Sequence, residues 1–186
     1  MNVKNFALVA ILGSTAMSTY AAGTGTIDFT GEIKAATCKV DVNGQGNDAL
    51  VTLPTVAKNA FSGADQTAGL TAFSFNISEC TGTDADTSVK AYFESGPSVD
   101  LTSGRLVNMA TEGTVAKGID LQLVDVQNNY TAIKVGSDEQ MAGEAGFVKL
   151  DGDSAEMFYA VQYYSTESAV DAGLVQSTVN YSLQYK

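Results

Sequence analysis

Leu174-Val175-Gln176-Ser177-Thr178-Val179-Asn180-Tyr181-Ser182-Leu183-Gln184-Tyr185-Lys186 alternates apolar and polar side chains to the end of the chain. Val175, Val179, Tyr181, Leu183 and Tyr185 share one face of an extended backbone; Gln176, Thr178, Asn180, Ser182 and Gln184 share the other. This period of two predicts a β-strand over 174–185 with one face on a core. No turn or partner strand follows it in the sequence, so the neighbour that covers its edge is expected from elsewhere.

Working outward, short alternating runs rich in Val, Ile, Thr, Tyr and Phe recur along the chain. They predict strands over 26–42, 49–56, 69–78, 88–93, 105–109, 118–126, 132–135, 155–164 and 174–185. Turn-rich stretches separate them, including Asn43-Gly44-Gln45-Gly46-Asn47-Asp48, Ser95-Gly96-Pro97-Ser98 and Asp151-Gly152-Asp153-Ser154. Glycine occurs 18 times and proline twice, helical periodicity is weak, and no repeat is visible. Many short strands at this spacing imply an all-β sandwich. Residues 156–165 are apolar on both faces, which places that strand mid-sheet. The irregular stretch 55–71 is expected to hold a short helical turn.

The other end of the chain carries a second one-faced strand. Its start has the form of a secretory signal: Lys4 precedes the apolar run 6–12, and small residues lead to a cleavage point after Ala21 or Ala22, with Ala21 preferred. The apolar run is about half the length that spans a bilayer, so no membrane insertion of the mature chain is expected. Behind it, Gly25, Ile27, Phe29, Gly31 and Ile33 fall on one face, and Thr24, Thr26, Asp28, Thr30 and Glu32 on the other. The expected organisation is a signal over 1–21, an extension over 22–34 and one domain over 35–186.

Composition excludes several functions. There is no histidine, which removes Ser-His-Asp, Cys-His and zinc-histidine chemistry. No Gly-x-Ser-x-Gly elbow or phosphate-cradling loop occurs. The carboxylates Asp84/Asp86 and Asp151/Asp153/Glu156 sit in turn-rich stretches, and the latter lack the later glycine and acid of a calcium loop. No enzyme, cofactor or metal is expected. The net charge of −11 argues against nucleic acid, and loss of the signal makes the chain one unit more acidic. Cys38 and Cys80 are expected to form a disulfide in an oxidising compartment, stabilising the fold by roughly 4 kcal/mol in the chain-entropy model.

Taken together, these segments resemble the subunits of chaperone–usher fimbriae, in particular type 1-like major pilins. The residues that carry the resemblance are Gly25-Thr26-Ile27-Asp28-Phe29-Thr30-Gly31-Glu32-Ile33, Ala36-Thr37-Cys38-Lys39-Val40, Val51-Thr52-Leu53-Pro54, Phe73 to Cys80, Ile119 to Asp125, Gly173 and the penultimate Tyr185. The resemblance implies an incomplete immunoglobulin-like (pilin) sandwich lacking its last strand and completed by donor-strand exchange. It implies that Gly25, Ile27, Phe29, Gly31 and Ile33 form the donor strand. It also implies that Gly173, Val175, Val179, Tyr181, Leu183, Tyr185 and Lys186 border an acceptor groove, which a periplasmic chaperone fills before an outer-membrane usher exchanges it for the next subunit's extension. The implied partners are identical or related subunits, chaperone and usher. The implied location is a surface fimbria, reached through the periplasm. A major shaft pilin supporting adhesion or biofilm formation is the preferred role. A minor adaptor and a free-standing secreted binding module are the alternatives.

Overall fold

A computed structural model describes residues 26–30, 33 and 35–186. The signal expected over 1–21, and Gly25 and Gly31 of the extension, lie outside the described residues. The chain divides between Glu32 and Ile33. Residues 26–30 have no regular secondary structure, and the side chains of Ile27 and Phe29 are exposed.

The body from Ile33 onward is a two-layer β structure. Its strands are β1 (Thr37–Val42), β2 (Thr67–Thr81), β3 (Ser88–Phe93), β4 (Val99–Asp100), β5 (Arg105–Val107), β6 (Ile119–Asp125), β7 (Thr131–Ala132), β8 (Val148–Lys149), β9 (Ala155–Ser165) and β10 (Tyr181–Tyr185). One sheet has the order β1-β2-β9-β6-β5-β4, with β7 added beside β6; the other has the order β10-β3-β8. All these pairings are antiparallel. The doubly apolar segment is β9, in the middle of the large sheet as expected, because β2 pairs along nearly its full length and β6 pairs along residues 159–165. The expected helical turn is the 3-10 turn Lys58–Ala60.

Alternation builds the core. Phe73, Phe75 and Ile77 of β2, Met157, Tyr159 and Val161 of β9, and Leu121 and Leu123 of β6 point inward to meet Val89, Ala91 and Phe93 of β3. The Tyr159 ring packs edge-on against Phe93 at 5.2 Å and against Phe75 at 5.5 Å. Its hydroxyl accepts the Ala91 N–H at 3.1 Å, so a buried polar atom joins the two sheets with its bond made. Burial pushes the Tyr159 hydroxyl well above the usual phenol range. The Cys38–Cys80 disulfide ties β1 to β2.

Where the structure departs from the sequence reading, pairing is the reason. Of the strand expected over 26–42, Thr37–Val42 is regular, where β2 supplies a partner, and residues 26–30, 33, 35 and 36 are not; residues 31, 32 and 34 lie outside the described residues. No strand forms over 49–56, although Val51 and Leu53 still alternate inward, because among the described residues no strand pairs with them. The strand expected over 174–185 is regular only over Tyr181–Tyr185, opposite β3. Upstream, Leu174 makes a single bridge to Val115. The 105–109 and 132–135 strands shorten for the same reason, and the brief β4 and β8 carried no visible pattern.

Candidate acceptor groove

Strand β10 is an edge. Lys186 exchanges both main-chain hydrogen bonds with Ser88 at 2.9 Å, and the Glu94 N–H donates to Asn180 at 2.9 Å. Antiparallel pairs alternate, so residues 180, 182, 184 and 186 bond to β3, and the main-chain groups of Tyr181, Leu183 and Tyr185 point to the free side. Those same three residues send their side chains onto the core, where they remain half-buried. Among the described residues, β10 pairs with β3 alone.

Strand β1 is the matching edge of the large sheet. A cleft of about 330 Å³ touches β1 at Val42 and β10 at Tyr181, walled by residues 47–51 and Leu53 on one side and by 177–181 on the other. Its floor is the core itself: Phe73, Phe75, Phe93, Leu106, Leu121, Leu123 and Val161 all reach it. The Tyr181 ring stands edge-on to Phe75 at 4.7 Å, and its hydroxyl donates to the Asn47 carbonyl at 2.8 Å, linking the two walls. Burial raises the Tyr181 and Tyr185 hydroxyls above the ordinary phenol range. An apolar core open along one side, beside unpaired main-chain groups, has the physical properties of a site for an added strand.

Gly173 has a local cause. A Cβ there would stand 2.4 Å from the Ala116 nitrogen and 2.5 Å from the Thr114 carbonyl oxygen. Residues 114–116 press against the chain at this point, with Leu174 donating to Thr114 at 2.7 Å and accepting from Ala116 at 3.1 Å. Only a residue without a side chain lets the last segment enter here. Val175 and Val179 follow, half-buried against the core. At the other end, the Lys186 ammonium pairs with Glu144, donates to the Gly143 carbonyl at 3.3 Å and lies 5.3 Å from the Phe147 ring centre.

Of the residues expected at the groove, Val179 and Tyr181 line the cleft, Val175, Leu183 and Tyr185 pack against the core, and Gly173 and Lys186 stand at the two ends of the same segment. Ile27, Phe29 and Ile33 are exposed, at 77%, 89% and 99%. Sequence reading missed the opposite wall, where Leu50 is exposed and Val51 and Leu53 face the cleft. The alternation at Val51 and Leu53 was visible; the absence of a partner was not. It also missed a buried ion pair: the Lys90 ammonium lies 3.9 Å from the Asp125 carboxylate and donates to the Gln140 and Ala145 carbonyls at 2.9 Å. Desolvation holds the Lys90 pKa below the usual lysine value, with Asp125 opposing that shift. Among the described residues no three metal-ligating side chains converge, and no helix is long and apolar enough to cross a membrane.

Comparison with known proteins gives a consistent answer. Residues 53–186 match the family model for FimA, type-1 fimbrial protein A. The chain is 36% identical over 165 residues to the major fimbrial subunit SMF-1 of Stenotrophomonas maltophilia, covering 88% of this chain and 94% of that protein. It is 34% identical over 182 residues to the F17 fimbrial protein of Escherichia coli, covering 96% and 97%. Among solved structures, the P pilus rod subunit PapA shares the fold at a TM-score of 0.57 and 18% identity, over 80% of this chain and 99% of that one. The family is structural and non-enzymatic, and its members polymerise with related subunits into surface fimbriae. With its immunoglobulin-like sandwich and its Cys38–Cys80 disulfide, this chain belongs to the type-1 fimbrial protein family of chaperone–usher pilins.

Proposed function

We propose that the chain is a major shaft pilin that polymerises head-to-tail, the extension of one copy filling the cleft of the next. The observation that carries this reading is the open core between the two sheet edges, with Phe73, Phe75 and Phe93 at its floor. A strand laid along β10 would find free main-chain groups at Tyr181, Leu183 and Tyr185 and, at the Tyr181 end, the apolar cleft. Residues 25–33 supply the matching pattern, and full burial of Ile27, Phe29 and Ile33 would contribute roughly 1.5–3 kcal/mol each. Donor and acceptor are different surfaces of one molecule, so the contact propagates as a filament and does not close as a dimer.

The same cleft must be covered before assembly, since an exposed apolar edge invites aggregation. A periplasmic chaperone strand serves that purpose in this reading, followed by exchange at an outer-membrane usher. Lys186 suits a chaperone handle because Ser88 holds its main chain and Glu144 holds its side chain. Signal removal after Ala21 would free the extension. The relatedness to the major subunit SMF-1 supports the shaft role over an adaptor.

The test is deletion of residues 24–33 in cells that make the fibre. Chaperone-bound subunit should accumulate in the periplasm while surface fibres disappear. Fibres of normal length from that deletion would overturn the donor assignment. Copy number in sheared fibres separates the roles: a shaft subunit outnumbers any tip protein by orders of magnitude.

A further inference from the structure

Lys90 of β3 and Asp125 of β6 meet from different sheets, with their side chains only 9% and 3% exposed. The Lys90 Nζ lies 3.9 Å from the Asp125 Oδ2. It also donates to the Gln140 and Ala145 carbonyls, both at 2.9 Å. Those two bonds leave its third N–H for Asp125. The two oxygens of Asp125 differ. Oδ1 accepts two main-chain N–H groups, from Gln127 and Asn128, at 3.1 Å. Oδ2 is buried and accepts no hydrogen bond. Gly146 closes the site, since a side chain there would collide with both Oδ2 and Nζ. A buried amine held by two acceptors thus faces a carboxyl group with one oxygen in a pair of N–H donors and the other free.

We propose that Lys90 and Asp125 condense in the folded chain to an isopeptide, a covalent bond between the two sheets. The step balances without an added reagent. One proton passes from the Lys90 ammonium to Oδ2, leaving a neutral amine and a carboxylic acid. The Nζ lone pair then forms a bond to the Asp125 Cγ, and the carbonyl electrons move onto Oδ1. The Gln127 and Asn128 N–H groups receive that charge as an oxyanion hole does. When the carbonyl re-forms, the Cγ–Oδ2 bond breaks, and Oδ2 leaves as water with a second proton from Nζ. The N–H that remains keeps one of the two carbonyls as its acceptor.

Burial favours each stage. Desolvation holds the Lys90 pKa below the usual lysine value, which eases the first proton transfer. A buried ion pair carries a desolvation penalty that a neutral amide escapes. The atom that leaves is the Asp125 oxygen without a hydrogen bond, so condensation also removes an unsatisfied acceptor. Both groups are fixed on strands, which turns a bimolecular condensation into an effectively unimolecular one. The Cys38–Cys80 bond joins two strands of one sheet, whereas this bond joins one sheet to the other.

The experiment is mass spectrometry of the mature subunit, purified from the cells that make it and reduced to open its disulfide. The intact chain should weigh about 18 Da less than the sequence from its observed N-terminus requires, which is one water lost. Trypsin should fail to cut at Lys90, and residues 59–105 should stay joined to residues 118–134. Lys90→Met should show the full mass of its own sequence. If that variant does not fold, the wild-type peptide pair decides alone. Full mass in most wild-type chains, with cleavage at Lys90, overturns the proposal. So does a water lost elsewhere, as in a cyclic imide at Asp151-Gly152, which would leave 59–90 and 118–134 as separate peptides.

Discussion

Lys90 and Asp125 show how far a single residue can bind the two sheets. Lys90 sits on β3 and Asp125 ends β6, and both side chains are nearly buried, at 9% and 3% exposure. One carboxylate oxygen of Asp125 accepts the N–H groups of Gln127 and Asn128 at 3.1 Å; the other has the Lys90 ammonium as its nearest charge and no hydrogen bond. Breaking such a pair from one side leaves a buried charge alone. Lys90→Met should therefore cost about 3–5 kcal/mol in urea unfolding. Adding Asp125→Asn, which keeps an acceptor for the turn but removes the charge, should restore part of that loss. Gly173→Ala tests a different limit. Its new methyl meets backbone at residues 114–116, so a loss of about 1–3 kcal/mol is expected from forced displacement, with groove filling weakened because Val175 and Val179 shift with it.

At the scale of elements, the two groove walls are the informative ones. Tyr181 and Tyr185 of β10 have hydroxyl pKa values raised by burial. A folded-state pKa above the unfolded value of 10.0 gives stability that is complete below about pH 10 and lost as pH rises through the folded value. Tyrosinate absorbance should thus appear late and coincide with alkaline unfolding, and filling the groove should delay it further. Equal titration in filled and open forms would show that the incoming strand does not cover these rings. The sequence made β10 legible because its alternation is strict, and it made β9 legible because both faces are apolar. It did not reveal how far regular pairing runs. Val51 and Leu53 alternate as a strand does, yet they stay irregular because pairing is a property of two segments and no described strand lies beside them. The Lys90–Asp125 pair was illegible for a related reason: a lysine between Val89 and Ala91 reads as an outward residue until the loop over 140–146 is seen to cover it.

For the whole molecule, the proposed assembly uses the open side of the sandwich, so in that architecture stability and polymerisation draw on the same core. Serine at both Cys38 and Cys80 should cost the isolated domain roughly 4 kcal/mol, measurable as a lower urea midpoint. The disulfide has a second consequence, mechanical in kind. In a stretched fibre of the proposed architecture, tension arrives from the extension and enters the domain at the start of β1. Among the described residues strand β1 pairs with β2 alone, and a strand loaded from its end can peel one bond at a time. Cys38 lies at the second residue of β1, and its bond to Cys80 passes the load directly into β2, a 15-residue strand paired on both sides. The first covalent link after the joint thus acts as a strain relief, like the clamp where a cable enters a housing. Reduced fibres pulled in an optical trap should yield at lower force than oxidised ones, and they should yield inside the subunit before the joint between subunits lets go.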